Sequence, residues 1–160
     1  MFILDTNVVS ELRKIRSGKA VVQVAKWADS VNASTLFISV ITVLELENGV
    51  LRMERRDAQQ GLLLRSWLDN QVLPEFAERT LPIDAAIAQC CARLHVPDPR
   101  AERDALIAAT AFVHKMAIVT RNTIDFKNMG VKLINPWEFF IECPQKDNLK
   151  YMLYKLKILA

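Results

Sequence analysis

The chain has 160 residues, 51% hydrophobic and 24% charged, with a formal net charge of +3. That length fits one domain able to bury roughly 70% of its unfolded surface, and the composition excludes intrinsic disorder and a disulfide scaffold. Three cysteines, with Cys90 and Cys91 adjacent, point to a reducing compartment, the cytoplasm.

Met1 runs straight into Phe2-Ile3-Leu4-Asp5 without a basic leader, so no signal peptide is expected. No window reaches the roughly 18 apolar residues of a membrane span. A pI of about 8.8 is compatible with a nucleic-acid partner and does not demonstrate one.

Residues 1–4 read as a buried strand that presents Asp5 at its carboxyl end. Thr6-Asn7 then opens a helix through Val8, Val9 and Leu12, and Gly18 breaks the pattern. An amphipathic helix follows over Ala20 to Val31. Leu36 to Val40 is a second strand, with a helix from Ile41 onward. Asp57 caps a further helix through Leu73, which Pro74 ends. Leu81-Pro82-Ile83 is a short third strand, kept to an edge or a strand end by its proline. Asp84 caps a helix containing Ile87, Cys90, Cys91 and Leu94.

After the turn at 96–100, Arg103 to Lys115 is a strongly apolar helix, Ala117 to Thr120 the fourth strand and Val131 to Ile134 the fifth. Strands alternate with helices. That order implies an α/β fold: three layers, α/β/α, around a parallel sheet of four to five strands. Residues 1–141 form the domain. The tail 142–160 is basic, with Lys146, Lys150, Lys155 and Lys157 among leucines. It reads either as an added helix or as a frayed appendage.

Ligands of parallel α/β sheets sit beyond the carboxyl ends of the strands. Asp5 follows the first strand; Thr120, Asn122 and Asp125 follow the fourth. With these strands adjacent, the groups converge in one crevice. Glu45 and Asp104 reach toward it from helices. Each acid also has a plain structural reading: Asp5 and Asp104 as helix caps, Glu45 as a paired acid, Asp125 as a turn residue. Convergence tips the balance, because clustered carboxylates repel one another unless a cation neutralises them. Oxygen ligands select Mg²⁺ or Mn²⁺, which suit phosphodiester cleavage.

Other chemistries fit less well. His95 and His114 lack a partner at metal-ligand spacing, so zinc is not expected. Ser10 and Ser39 have no histidine to activate them, and the glycines form no phosphate loop. Trp27, Trp67 and Trp137 read as core or interface residues.

Four stretches taken together resemble a known family: Phe2-Ile3-Leu4-Asp5-Thr6-Asn7; Ile38 to Leu46 leading to Gly49-Val50; Arg103-Asp104-Ala105-Leu106-Ile107-Ala108-Ala109-Thr110-Ala111; and Val119-Thr120-Arg121-Asn122 with Asp125-Phe126. They are similar to the PIN-domain nucleases, in the branch of the VapC and FitB-like toxins, and Asn135-Pro136-Trp137 fits that branch. The resemblance covers about residues 1–140.

It implies a Mg²⁺-dependent endoribonuclease, the toxin of a type II toxin–antitoxin pair. Asp5 and Asp104 would be the metal ligands, with Glu45 and Asp125 completing the acidic quartet. Asn7, Thr120 and Asn122 would support the site. It also implies a small antitoxin, operator DNA reached through that antitoxin, and a homodimer or hetero-oligomer. Two rivals stand beside this reading. One is a role mainly in DNA binding and autoregulation. The other is a phosphatase of the haloacid-dehalogenase type, which needs a second Asp where this chain has Asn7.

Overall fold

Strands form where a short apolar run ends at a polar residue. In the computed structural model, which describes residues 1–140, β1 spans Phe2–Leu4, β2 Leu36–Ser39, β3 Thr80–Leu81, β4 Ala117–Val119 and β5 Leu133–Ile134. The reading of the tail at 142–160 lies outside the described residues. The strands pair in parallel in the order β3-β2-β1-β4-β5. Pro82 falls just past β3, at the sheet edge, where its missing N–H removes no ladder bond.

The helices are α1 Thr6–Leu12, α2 Val22–Ser30, α3 Val40–Arg56, α4 Ala58–Trp67, the short α5 Leu73–Glu75, α6 Ala85–Leu94 and α7 Glu102–Val113. Capping residues set several of their starts. Asp84 accepts the Ile87 N–H over 2.9 Å, and Asp57 accepts the Gln60 N–H over 3.0 Å.

The sequence predicts that the helix after Asp57 stops at Pro74, and here the structure differs. The helix widens into a π-helical turn over Leu68–Val72, where the Leu73 N–H donates to the Leu68 carbonyl. Pro74 then sits in the first turn of α5, where its missing N–H has no helical partner to lose.

Side-chain alternation divides the core into two layers. Leu4 and Val119 face one side of the sheet and pack with Val8, Trp27, Ile38 and Leu46. Ile3 and Ile118 face the other side and pack with Ile107, Ala108 and Ala111 of α7. The central strands are therefore buried on both faces, which is why they read as unbroken apolar runs rather than alternating ones. Both layers meet the sheet below the carboxyl ends of β1 and β4, and those ends stay open.

Candidate active site

Asp5 continues the β1 ladder, its N–H donating to the Val119 carbonyl over 3.0 Å. Its Oδ1 accepts the Thr6 N–H over 2.7 Å, so it does cap α1. Its Oδ2 accepts from the Asn7 amide and the Thr120 hydroxyl, each over 2.6 Å. Cap and site residue are thus one group. The Thr120 hydroxyl also accepts from Asn7 over 3.2 Å and from the Asn122 N–H over 3.0 Å, while Asn7 accepts the Arg121 N–H over 3.2 Å. These bonds tie the loop after β4 to the loop after β1.

α3 is pinned to the end of β1 by the Thr42 hydroxyl, which donates to the Leu4 carbonyl over 3.2 Å. Glu45 lies one turn later on the same helix face. The Thr6 hydroxyl donates a short hydrogen bond to its Oε2, and Arg103 Nη1 stands 3.6 Å from its Oε1.

Asp104 is the third residue of α7, whose N-cap is Ala101 without a side-chain cap bond. No hydrogen bond to the Asp104 carboxylate is present among the described residues, so it does not cap α7, while its place in the first turn still sets it at the positive end of the helix dipole. Its carboxyl is pushed up to about 6, first by burial and then by the charges of Asp125, Asp5 and Glu45. Burial likewise raises Asp5, against the lowering effect of its hydrogen bonds from Thr120 and Thr6. Asp125 sits in a turn closed by its N–H on the Asn122 carbonyl over 3.2 Å.

These side chains line one cleft of about 290 Å³: Asp5, Thr6, Asn7, Ser10, Glu45, Asp104, Asn122 and Asp125. Each residue singled out from sequence lines it except Thr120, which is fully buried beneath Asp5. Thr6 and Ser10 were not legible as site residues. The available signal was their spacing, since with Asn7 they put polar groups on one face of a short helix.

The cleft lining contains no Lys or Arg to balance its carboxylates. An all-oxygen donor set whose negative charge is only partly offset by Arg103 beside Glu45, and with Asp104 free of hydrogen bonds among the described residues, fits a hard divalent cation. A larger cavity of about 620 Å³ lies between α1 and the α4–α5 segment, lined by Leu12, Trp67 and Phe76 among others. Glu75 is its lone carboxylate, so it offers no comparable chemistry.

The reading of His95 as unpartnered needs correction. Ligand atoms of Cys91, His95 and Glu102 lie within 4.8 Å of one another. The Arg100 N–H donates to His95 Nδ1 over 3.2 Å, which occupies that nitrogen, and Nε2 faces Glu102 at 3.5 Å. Three protein donors are one short of the closed tetrahedral set of a structural zinc site.

Comparison with known proteins identifies the family. The PIN domain family model matches residues 2–132. The VapC ribonuclease Y4jK of Sinorhizobium fredii is 36% identical over 143 residues, 86% of this chain and 99% of the relative. Toxin FitB of Neisseria gonorrhoeae is 34% identical over 142 residues, with the same shares of 86% and 99%. The solved structure of FitAB bound to IR36 DNA fragment matches with a TM-score of 0.78 at 32% identity, covering 89% of this chain and 100% of that one. A family match over most of the length, relatives above 30% identity and a shared fold together place this chain in the PIN-domain family, in the branch that holds VapC and FitB.

Proposed function

We propose that this chain is the toxin of a type II toxin–antitoxin pair and works in the cytoplasm as a Mg²⁺-dependent endoribonuclease. The observation that carries this reading is the cleft itself: Asp5, Glu45, Asp104 and Asp125 converge at the carboxyl ends of β1 and β4 in a chain of the PIN-domain family. One relative is named a ribonuclease and another a toxin.

Asp5 and Asp104 hold the ion, Mg²⁺ or Mn²⁺, with Glu45 and Asp125 completing the negative charge. A bound divalent ion supplies acidity to the attacking water and positive charge to the phosphate. Thr120 and Asn7 fix one Asp5 oxygen by hydrogen bonds, which leaves its direction fixed before substrate arrives. Thr6 fixes one oxygen of Glu45, leaving the other to orient water in the cleft. Ser10 has no histidine among the cleft lining to activate it as a nucleophile.

The partners in this reading are RNA, a small cognate antitoxin, operator DNA reached through that antitoxin, and a second copy of the chain. A second reading, service mainly within a DNA-bound complex, draws on the DNA fragment in the FitAB structure. Operator binding that requires this chain, with no cleavage by the isolated chain, would select it. The phosphatase alternative is weakened by Asn7, whose amide has no acidic proton and is spent on Asp5 and Thr120.

The test is cleavage of RNA by the purified chain with Mg²⁺ or Mn²⁺. Asp5→Asn and Asp104→Asn should each lower the rate at least about a hundredfold. Equal cleavage in chelator, or in both variants, removes the proposal.

A further inference from the structure

A nuclease reading requires a phosphodiester anion to settle against a cleft of carboxylates. Divalent charge offsets part of that repulsion, yet the phosphate oxygens still need donors that point them. Arg103 is not among the residues that line the cleft, but it stands beside the lining residue Glu45 and is placed to supply them. It is the second residue of α7, directly before Asp104, and its Nη1 lies 3.6 Å from Glu45 Oε1.

That contact is loose by the standard of this same molecule. Arg65 holds Glu47 through two nitrogens at 2.7 and 2.8 Å and Glu54 through a third at 3.0 Å, so its fork is filled by the fold. Arg13 and Arg121 lay their guanidinium groups over Trp67 and Trp137, at 5.4 and 5.5 Å from the ring centroids. Arg103 has no such engagement among the described residues. Its side chain is 49% exposed, and the Glu45 oxygen lies beyond hydrogen-bond reach.

An exposed, long ion pair contributes little to folding. The guanidinium is therefore left available to a ligand. A guanidinium does carry five donors in a fork that matches two phosphate oxygens.

We propose that Arg103 is the phosphate-binding residue of this site, gripping the non-bridging oxygens of the scissile phosphodiester and holding the phosphorus over the carboxylate cleft. The inference rests on the nuclease reading above. In the free protein the guanidinium leans on Glu45. When RNA arrives it exchanges one anion for another, and Glu45 Oε1 is released toward the cleft. The same exchange keeps the neighbouring Asp104 and the gripped phosphate on one rigid helix end.

Three measurements test this. The first is binding of single-stranded RNA to Asp5→Asn and to the Asp5→Asn, Arg103→Ala double variant across a salt series. The expected loss is about tenfold or more in affinity, with the salt slope reduced by about 0.7, the share of one phosphate contact on a single strand. The second is cleavage in the otherwise wild-type chain, where Arg103→Ala lowers kcat/KM about tenfold to a hundredfold and Arg103→Lys recovers part of it. The third is Mn²⁺ binding without RNA, which in Arg103→Ala stays equal or tightens, because a competing charge is gone.

An unchanged salt slope overturns the proposal, and so does cleavage by Arg103→Ala at the wild-type rate. Loss of cleavage in Asp5→Asn alongside full cleavage in Arg103→Ala would remove Arg103 while leaving the nuclease reading intact. No cleavage by the wild type removes both.

Discussion

Asp5 closes the first turn of α1 and faces the cleft with the same carboxylate, held by Thr6, Asn7 and Thr120. Asp104 is its opposite: half-buried, without a hydrogen bond among the described residues, and raised to about 6. The sign of its effect on stability follows from that rise. A carboxyl whose folded pKa exceeds its ordinary 3.8 binds its proton more tightly when folded, so stability falls as pH climbs from about 4 to about 6 in metal-free protein. Asp104→Asn should therefore stabilise the metal-free chain at pH 7 by on the order of 1 kcal/mol, water having screened part of the repulsion. Melts in chelator should show a gain of a few degrees at pH 7 that vanishes near pH 4. A variant no more stable than wild type at pH 7 would refute this. Asp5 and Thr120 were legible because each directly follows an apolar strand. Glu45 and Asp104 were not, since an acid on a helix has ordinary reasons to be there, and the family resemblance was needed to single them out.

At the scale of elements, α3 and α4 set where Glu45 stands. The two helices cross at Gly61, where an added Cβ would come within 2.4 Å of Glu54 Cα. That neighbour is backbone, so no rotamer change relieves the overlap and the helices must part. Gly61→Ala should cost about 1–3 kcal/mol despite alanine's better helix propensity. A urea midpoint at or above that of the wild type would contradict it. Leu62→Ala, at a neighbour 68% exposed, should change stability by no more than about 0.5 kcal/mol. The capping residues Asp57 and Asp84 made both helix starts readable. The π-helical turn and the close crossing were hidden, because each depends on what packs against the helix from elsewhere in the chain.

At the scale of the molecule, the site gathers four carboxylates beside one loosely paired cation, Arg103, so the fold by itself leaves most of that charge unbalanced. A divalent ion bound there stabilises the native state by mass action, about 2.7 kcal/mol at a hundredfold excess over its Kd. Saturating Mn²⁺ should raise the Tm of the wild type by several degrees and leave Asp5→Asn nearly unmoved. Equal shifts in both would place the ion elsewhere.

Local chemistry alone marked the starts of α4, α6 and β4, because a cap or an apolar run acts on residues beside it in the chain. It also held the four motifs that mark the family. Only the tertiary structure decided that β4 lies beside β1, that Thr6 and Ser10 face the cleft, and that Arg103 leans on Glu45. Those meetings follow from burying both faces of a parallel sheet under helices, a condition set by the whole chain at once and by no single stretch of it.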